Sequence, residues 1–495
     1  MEAWILGMQT VFQWDMLLLI FLGTLLGLIL GAVPGLTAVL GMVLLLPITF
    51  GMDPVKGLSV LIGIYAGGLS GGLVSATLLG MPGTPSSIVT TFDAFPMAKN
   101  GQPGKALGWG ILASFIGGVL SWIVLVTLAP QLVKVAIKFG SFEYTALILF
   151  GLVVIVGLSE GNILKALFMT LLGLLLAMIG TDPIGGFPRF NLDIEMLRGG
   201  ISFVPALIGL FVLGQAFTEM DKYREKYVFK RGKMDSLFPG IKEVLSSWGN
   251  FVRSSLIGVG IGMMPGIGAT VANIVCYDQA KKASKHPEKF GTGYKEGIIA
   301  SEAGNNATMG GALIPMLTLG IPGDTITAVL LGGLMLHGLQ PGPFLMRDHP
   351  EVIYGLFLAM LISLIFMVII QFTFFIRLFT VALRIPKQIL LPTVIVMAII
   401  GTYSIDFRIV DIWITVIFGV LGYILDKHNY PLMPLVIALL LGPLFENHLR
   451  TALMYSNGSL LPFITRPFSL LLLIITLISI IFSVRMYNKN RHLQV

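Results

Sequence analysis

Apolar residues run along this chain in blocks too long for the helices of a water-soluble core. Blocks of roughly 20 apolar residues, the length that crosses the hydrocarbon of a bilayer, occur at 16–33, 106–129, 142–158, 163–180, 201–219, 252–275, 352–376, 388–404, 409–425, 430–445 and 464–485. Each predicts a membrane-spanning helix. Two more apolar regions, 36–99 and 297–341, are interrupted repeatedly by Gly and Pro, and there the pattern predicts half-helices and re-entrant hairpins. Such backbone persists at membrane depth only where protein covers it or it lines a cavity. The expected fold is an all-α polytopic membrane protein, with about 11–12 membrane segments besides the hairpins.

The polar residues between blocks give a direction. The most polar stretch, 220–250, carries Lys222, Arg224, Lys226, Lys230, Arg231 and Lys233. The positive-inside rule puts it in the cytoplasm. Arg485, Lys489 and Arg491 put the tail on the same side, while residues 1–15 hold Glu2 and Asp15 and no Lys or Arg, as an external N-terminus would. The first block lacks a basic flank and a small-residue cleavage site, so it reads as a retained span. Lys281, Lys282, Lys285, Lys289 and Lys295 lie one apparent span beyond the cytoplasmic stretch. The scheme holds if 252–275 enters the membrane and returns, broken midway at Pro265-Gly266.

Composition agrees. Only 12% of residues are charged and 55% are hydrophobic, whereas soluble domains carry about 25% charged residues. The lipid bilayer is therefore the main solvent. The net charge of +7 comes from cations at segment ends and in a few loops, which reads as a topology signal and not as a nucleic-acid surface. Cys276 is the one cysteine, so no internal disulfide can form.

The chain repeats itself. Gly31-Ala-Val-Pro34-Gly35 matches Gly262-Met-Met-Pro265-Gly266, and Gly80-Met-Pro82-Gly83-Thr84 matches Gly320-Ile-Pro322-Gly323-Asp324. Gln102-Pro103-Gly104 matches Gln340-Pro341-Gly342, and Pro205 with Leu213-Gly214 matches Pro434 with Leu441-Gly442. The order is kept at an offset of roughly 230–245 residues. This suggests a first transporter repeat over 1–220, a cytoplasmic linker over 221–250, a second repeat over 251–450, and an extra C-terminal helix and tail over 451–495. An external N-terminus and a cytoplasmic centre require an odd number of crossings per repeat. The copies are then inverted, as in many secondary transporters.

The breaks are the candidate chemistry. Proline cannot donate to the helix ladder and glycine permits close approach, so Pro34-Gly35, Pro82-Gly83, Pro265-Gly266 and Pro322-Gly323 should each expose a helix N-terminus. Free N–H groups there attract anions. Regions 36–99 and 297–341 hold no arginine, so a carboxylate bound there must rely on amides and on hydroxyls such as Thr37, Thr84, Ser86, Ser87, Thr308 and Thr325. Asn305 and Asn306 are placed in the second hairpin. The same side chains are also good helix caps. Glu302 and Asp324 are candidate ligands for a coupling cation, sodium or proton, because an ionisable group at membrane depth points to function, and Asn306 is a third candidate ligand through its amide oxygen. No cofactor, Walker A box or H-E-x-x-H zinc motif is expected. Two enzyme patterns compete with transport: a rhomboid-like serine protease using Ser70 of Gly68-Leu-Ser70-Gly71 with His337, and an aspartyl protease using Asp278 and Asp324. A passive anion channel is a further alternative.

The stretch Lys285-His-Pro287-Glu288-Lys-Phe290-Gly291-Thr-Gly293-Tyr-Lys-Glu296-Gly297, continued by Ala300-Ser301-Glu302-Ala303-Gly-Asn305-Asn306-Ala307, resembles the signature of the large membrane subunit (TctA family) of tripartite tricarboxylate transporters. The Pro-Gly boxes resemble that family too, and the likeness covers nearly the whole chain. One departure is Ala94 of Asp93-Ala94-Phe95-Pro96, where the family usually has Gly. The resemblance implies a cation-driven symporter of the bacterial inner membrane. It implies a citrate-like di- or tricarboxylate substrate, a small membrane subunit of about four helices, and a periplasmic solute-binding protein. A homodimer is a further expectation.

Overall fold

The computed structural model describes residues 2–158, 163–191, 195–221, 235–375, 379 and 387–492. Lys222, Arg224, Lys226, Lys230, Arg231 and Lys233 lie outside the described residues, as do the side chains of Lys489 and Arg491. The main helices are α1 (Glu2–Val11), α2 (Trp14–Ala32), α3 (Ala38–Phe50), α4 (Pro54–Leu79), α5 (Thr91–Lys99), α6 (Pro103–Ala136), α7 (Ser141–Leu158) and α8 (Ile163–Ala177). They continue with α9 (Phe203–Asp221), α10 (Trp248–Gly262), α11 (Gly268–Ala283), α12 (Lys295–Leu319) and α13 (Thr325–Leu336). The last are α14 (Pro350–Thr373), α15 (Lys387–Asp406), α16 (Ile409–Lys427), α17 (Leu432–Tyr455) and α18 (Pro467–His492). The described strands form one short ribbon, Gly180–Thr181 against Pro188–Arg189.

Nine helices among the described residues are long and apolar enough to cross a membrane. The apolar blocks suggested more, and the difference has three sources. Residues 252–275 are split between α10 and α11. Over their described residues the apolar helices α7 and α8 fall short of that crossing length. In the other direction, α4 is a continuous helix of 26 residues within a region where only half-helices were expected, and α12 is likewise continuous over 25 residues.

Packing explains that correction. The glycines inside α4 and α12 are contact points and do not break the helix. A Cβ on Gly27 of α2 would sit 2.4 Å from the Ile64 carbonyl oxygen, and one on Gly67 would sit 2.2 Å from that of Thr24. Only hydrogen fits, so the two backbones touch along their length, the small-residue packing typical of membrane helices. α10 lies on α12 in the same way: a Cβ on Gly258 would meet the Gly304 carbonyl oxygen at 2.4 Å.

The contacts divide the chain into two compact units, Met1–Gln131 with Glu219–Met397, and Leu132–Thr218 with Ala398–Val495. Each draws on both halves of the sequence. In the first, α2 runs parallel to α4, with Gly23 against Val60 and Gly31 against Gly68. α10 runs parallel to α12, with Asn250 bonded to Glu296 and Gly262 against Thr308. α10 and α11 form a hairpin around Pro265-Gly266. The Cys276 thiol meets the Ser254 carbonyl at 3.3 Å, so the chain does turn back on itself. The arms of 15 and 16 residues are each about 22–24 Å long, short of a hydrocarbon core of about 30 Å.

In the second unit α8 packs on α17, where a Cβ on Gly173 would lie 2.5 Å from the Leu435 carbonyl oxygen. Four charges fasten the ribbon to α17. Arg189 holds Glu446 through two bonds of 2.6 and 2.9 Å. Arg450 reaches Asp182 at 2.5 Å and Glu446 at 2.8 Å.

Candidate functional site

All four Pro-Gly breaks fall in the first unit, and a helix or helical turn begins after each. Thr37 caps α3, its hydroxyl accepting the Leu40 N–H at 3.2 Å. Gly80 ends α4 with φ +68° and Gly320 ends α12 with φ +72°, a left-handed turn that glycine makes without strain. Beyond them Thr84 and Asp324 each open a capping box, Thr84 with Ser87 and Asp324 with Thr327. Asp324 Oδ1 accepts the Thr327 N–H at 2.7 Å.

The breaks meet in pairs. Gly83 lies so close to the Gly31 carbonyl oxygen that a Cβ there would stand 2.2 Å away. The Gly266 N–H donates to the Gly323 carbonyl at 2.9 Å, bringing Pro265-Gly266 onto Pro322-Gly323. Asn305, Asn306 and Thr308, expected in a hairpin, instead lie in the middle of α12, because that helix runs unbroken to Leu319.

Two buried carboxyl groups organise the region. Glu302 is fully buried. It accepts from Thr90 Oγ1 at 2.6 Å, from Ser114 Oγ at 3.0 Å and from Asn306 Nδ2 at 3.5 Å. Asn273 Nδ2 donates to the Ser86 carbonyl at 2.6 Å and the Ser301 carbonyl at 3.3 Å. Asp324 belongs to a second network, in which the Tyr65 hydroxyl donates to Oδ2 at 2.6 Å. The structure thus does not gather Glu302, Asn306 and Asp324 into one cation cluster. Asn306 is one turn from Glu302 on the same helix, whereas Asp324 lies beyond the Gly320 break. No group of three or more acidic, His or Cys side chains stands together among the described residues.

A third carboxylate ties the site together. Asp93 Oδ1 accepts the N–H groups of Gly291 at 2.9 Å, Gly293 at 2.9 Å and Tyr294 at 2.7 Å, and Tyr277 donates to Oδ2 at 2.8 Å. The loop can aim three amides at one oxygen because Gly291 and Gly293 take φ +89° and +100°, a backbone nest for an anion. Asp93 therefore pins α5 to the start of α12 and sets Thr90 against Glu302.

Sequence reasoning missed Tyr65, Thr90, Ser114, Asn273 and Asp93. Asn273 carried a signal, a lone amide in an otherwise apolar stretch. The others are three hydroxyls and the carboxylate of Asp93, whose partners lie some 180–260 positions away in sequence. The protease patterns find no geometry. Ser70 accepts from the Gln371 amide at 2.7 Å. His337 lies against Gly57, which is 13 residues along α4 from Ser70, about 20 Å. Asp278 pairs with exposed Lys282 at 2.5 Å, away from Asp324's bonds.

Comparison with known proteins gives the family. The family model described as the tripartite tricarboxylate transporter TctA family matches residues 17–437. The chain belongs to the TctA family. It is 36% identical over 486 residues to an Agrobacterium vitis protein described as an uncharacterized 52.8 kDa protein in the TAR-I ttuC' 3'region, covering 96% of this chain and 94% of that one. A second Agrobacterium vitis protein, described as an uncharacterized protein in the TAR-II ttuC' 3'region, is 34% identical over 235 residues, covering 48% of this chain and 97% of its own length. No solved structure matches. This TctA-family chain is accordingly a multi-pass membrane protein and a subunit of a tripartite transporter, with a small membrane subunit and a binding protein implied as partners. Its Ala94 lies inside α5, fully buried, where a helical backbone makes no demand for glycine.

Proposed function

We propose that this TctA-family chain is the transporting subunit of a secondary active uptake system in a bacterial inner membrane. It moves a small di- or tricarboxylate, citrate-like in charge, on a sodium or proton gradient. An extracytoplasmic solute-binding protein delivers the substrate. One observation carries the reading: two buried carboxyls, Glu302 and Asp324, are held by hydroxyl, amide and backbone N–H donors within one helical unit. Ionisable groups are retained at membrane depth for ion and substrate movement.

Local geometry supports the repeat, and we take its copies to be inverted from the charge pattern of the sequence. Gly35 and Gly266 share positive φ, as do Gly80 and Gly320. Gly83 abuts Gly31 as Gly323 abuts Gly262, and the same capping box follows in both copies. We place the substrate carboxylates at the helix starts beyond Pro82-Gly83 and Pro322-Gly323. Thr84, Ser86, Ser87, Thr325, Asn305, Asn306 and Thr308 offer hydrogen bonds there. Pro34, Gly35, Thr37, Pro265 and Gly266 line the companion breaks. Alternating access then follows from rocking of the repeats.

The test is uptake of labelled di- and tricarboxylates into vesicles containing all three components. Accumulation above the external concentration only under an imposed sodium or proton gradient supports symport. Equilibration indifferent to both gradients would mean a passive channel.

A further inference from the structure

We infer that the Glu302 network is the binding site for one sodium ion, which serves as coupling cation; this inference rests on the transport reading above. The argument is an account of donors and acceptors. As a carboxylate, Glu302 accepts the hydroxyl protons of Thr90 and Ser114 at 2.6 and 3.0 Å. Each hydroxyl has one proton to give, so both keep lone pairs, although Thr90 Oγ1 also faces Asn273 Nδ2 at 3.5 Å and Ser301 Oγ at 3.2 Å. The orientation of Asn273 is fixed, since its Nδ2 faces the carbonyls of Ser86 and Ser301. Its Oδ1 is left buried with no partner. Asn305 repeats the pattern: Nδ2 donates to the Leu69 carbonyl at 3.3 Å and Oδ1 has no partner. Glu302 and Asn305 are fully buried and Asn273 is 1% exposed.

Orphaned buried acceptors are costly and rare. Here two belong to side chains next to the carboxylate and its hydroxyls: Asn305 is one turn from Glu302 on α12, and Asn273 Nδ2 is 3.5 Å from Thr90 Oγ1. Protonating Glu302 supplies a single hydrogen and can satisfy at most one of them. A cation satisfies all of them at once. The donors are all hard oxygens, the set that alkali and alkaline-earth ions prefer over transition metals. The single carboxylate selects a monovalent ion, because a divalent one would leave a net positive charge buried. Thr90 and Ser114 come from the first sequence repeat, and Asn273, Glu302 and Asn305 from the second. An ion held there ties the two together, so its binding and the rearrangement that moves substrate are linked.

The experiment measures melting of the purified full-length chain in detergent, titrated with NaCl against choline chloride at constant ionic strength and pH. The expected result is saturable stabilisation by sodium, with apparent affinity about 10–100-fold weaker in Glu302→Gln and in Asn305→Ala. Asn305→Asp keeps the side-chain shape and adds a charge, so it should acquire stabilisation by CaCl2. Sodium-dependent melting that is the same in wild type, Glu302→Gln and Asn305→Ala overturns the site. So does melting that follows pH while sodium has no effect, the behaviour of a proton carrier. Vesicle uptake separates the two readings. If sodium binds and the variants lose it, yet no gradient drives carboxylate uptake, the site stands and the transport reading falls. If sodium drives uptake equally in all variants, the transport reading stands and the site falls.

Discussion

Asp93 and Tyr294 meet through a hydrogen bond of 2.7 Å, from the Tyr294 N–H to Asp93 Oδ1, in a carboxylate that also takes the N–H groups of Gly291 and Gly293. This contact explains why the long 285–297 signature and the Asp93-Ala-Phe-Pro96 box occur in one chain. They are the two halves of one clamp. Asp93→Ala leaves three amides facing inward, at about 1–3 kcal/mol for each that water does not reach. We expect a clear fall in melting temperature and faster hydrogen exchange across 288–297, with Asp93→Asn intermediate because its Oδ1 still accepts. Unchanged exchange in Asp93→Ala would show that the clamp bears no load.

The glycine contacts between α2 and α4 are a second target. Gly27→Ala forces a methyl to within 2.4 Å of the Ile64 carbonyl oxygen, so the helices must part. Overpacking of this kind costs about 1–3 kcal/mol. At Gly51 and Gly249 a Cβ meets no heavy atom within 4 Å, and alanine there should be neutral or slightly stabilising. Thermal melting of the three variants side by side checks the contrast.

In the second unit, Asp182 is held down at about 2, first by its bond to the Arg450 guanidinium and then by the N–H groups of Gly185 and Ile184. A carboxyl depressed when folded stabilises the fold above its ordinary value of about 3.9. That stabilisation is lost as pH falls from about 4 towards about 2. Asp182→Asn should therefore flatten the acid limb of a stability-against-pH curve in that window and leave the neutral region lowered. An acid limb identical to wild type would remove Asp182 from the account.

The span pattern was legible because the bilayer sets a common length for crossing helices, and α2, α14, α15 and α16 follow the apolar blocks closely. The four breaks were legible because Pro-Gly has a local conformational meaning. What failed was the reading of glycine inside α4 and α12. A glycine that breaks a helix and one that lets two helices touch look the same along the chain, and only the partner across the contact tells them apart. The site was half legible for a similar reason. Glu302 and Asp324 stand out by charge, but Tyr65, Thr90 and Ser114 become site residues only through carboxyls more than 180 positions away. Tyr65→Phe tests the least legible of these. It removes only the 2.6 Å donor to Asp324, and a hydrogen bond to a charged group contributes about 1.5–3 kcal/mol. Uptake should fall by roughly tenfold or more while the chain still inserts and melts cooperatively.

Asp324 has two occupations, and they can be pulled apart. Its Oδ1 caps α13 through the Thr327 N–H at 2.7 Å, and its Oδ2 takes the Tyr65 hydroxyl. The matching position in the first half, Thr84, caps its own turn without a charge. A cap alone therefore does not require a carboxylate. Asparagine caps helices as well as aspartate does, so Asp324→Asn keeps the cap at Oδ1 and removes the negative charge together with the Oδ2 acceptor of the Tyr65 hydroxyl. Asp324→Ala removes both, with the loss of a cap costing about 1 kcal/mol. If the charge serves transport, gradient-driven uptake collapses in Asp324→Asn while melting stays near wild type, and Asp324→Ala loses both. If the residue is only a cap, Asp324→Asn transports normally and only the alanine variant is impaired. Uptake and melting measured on the two variants together decide which occupation keeps an acid at this position in the second half of the chain where the first half has a hydroxyl.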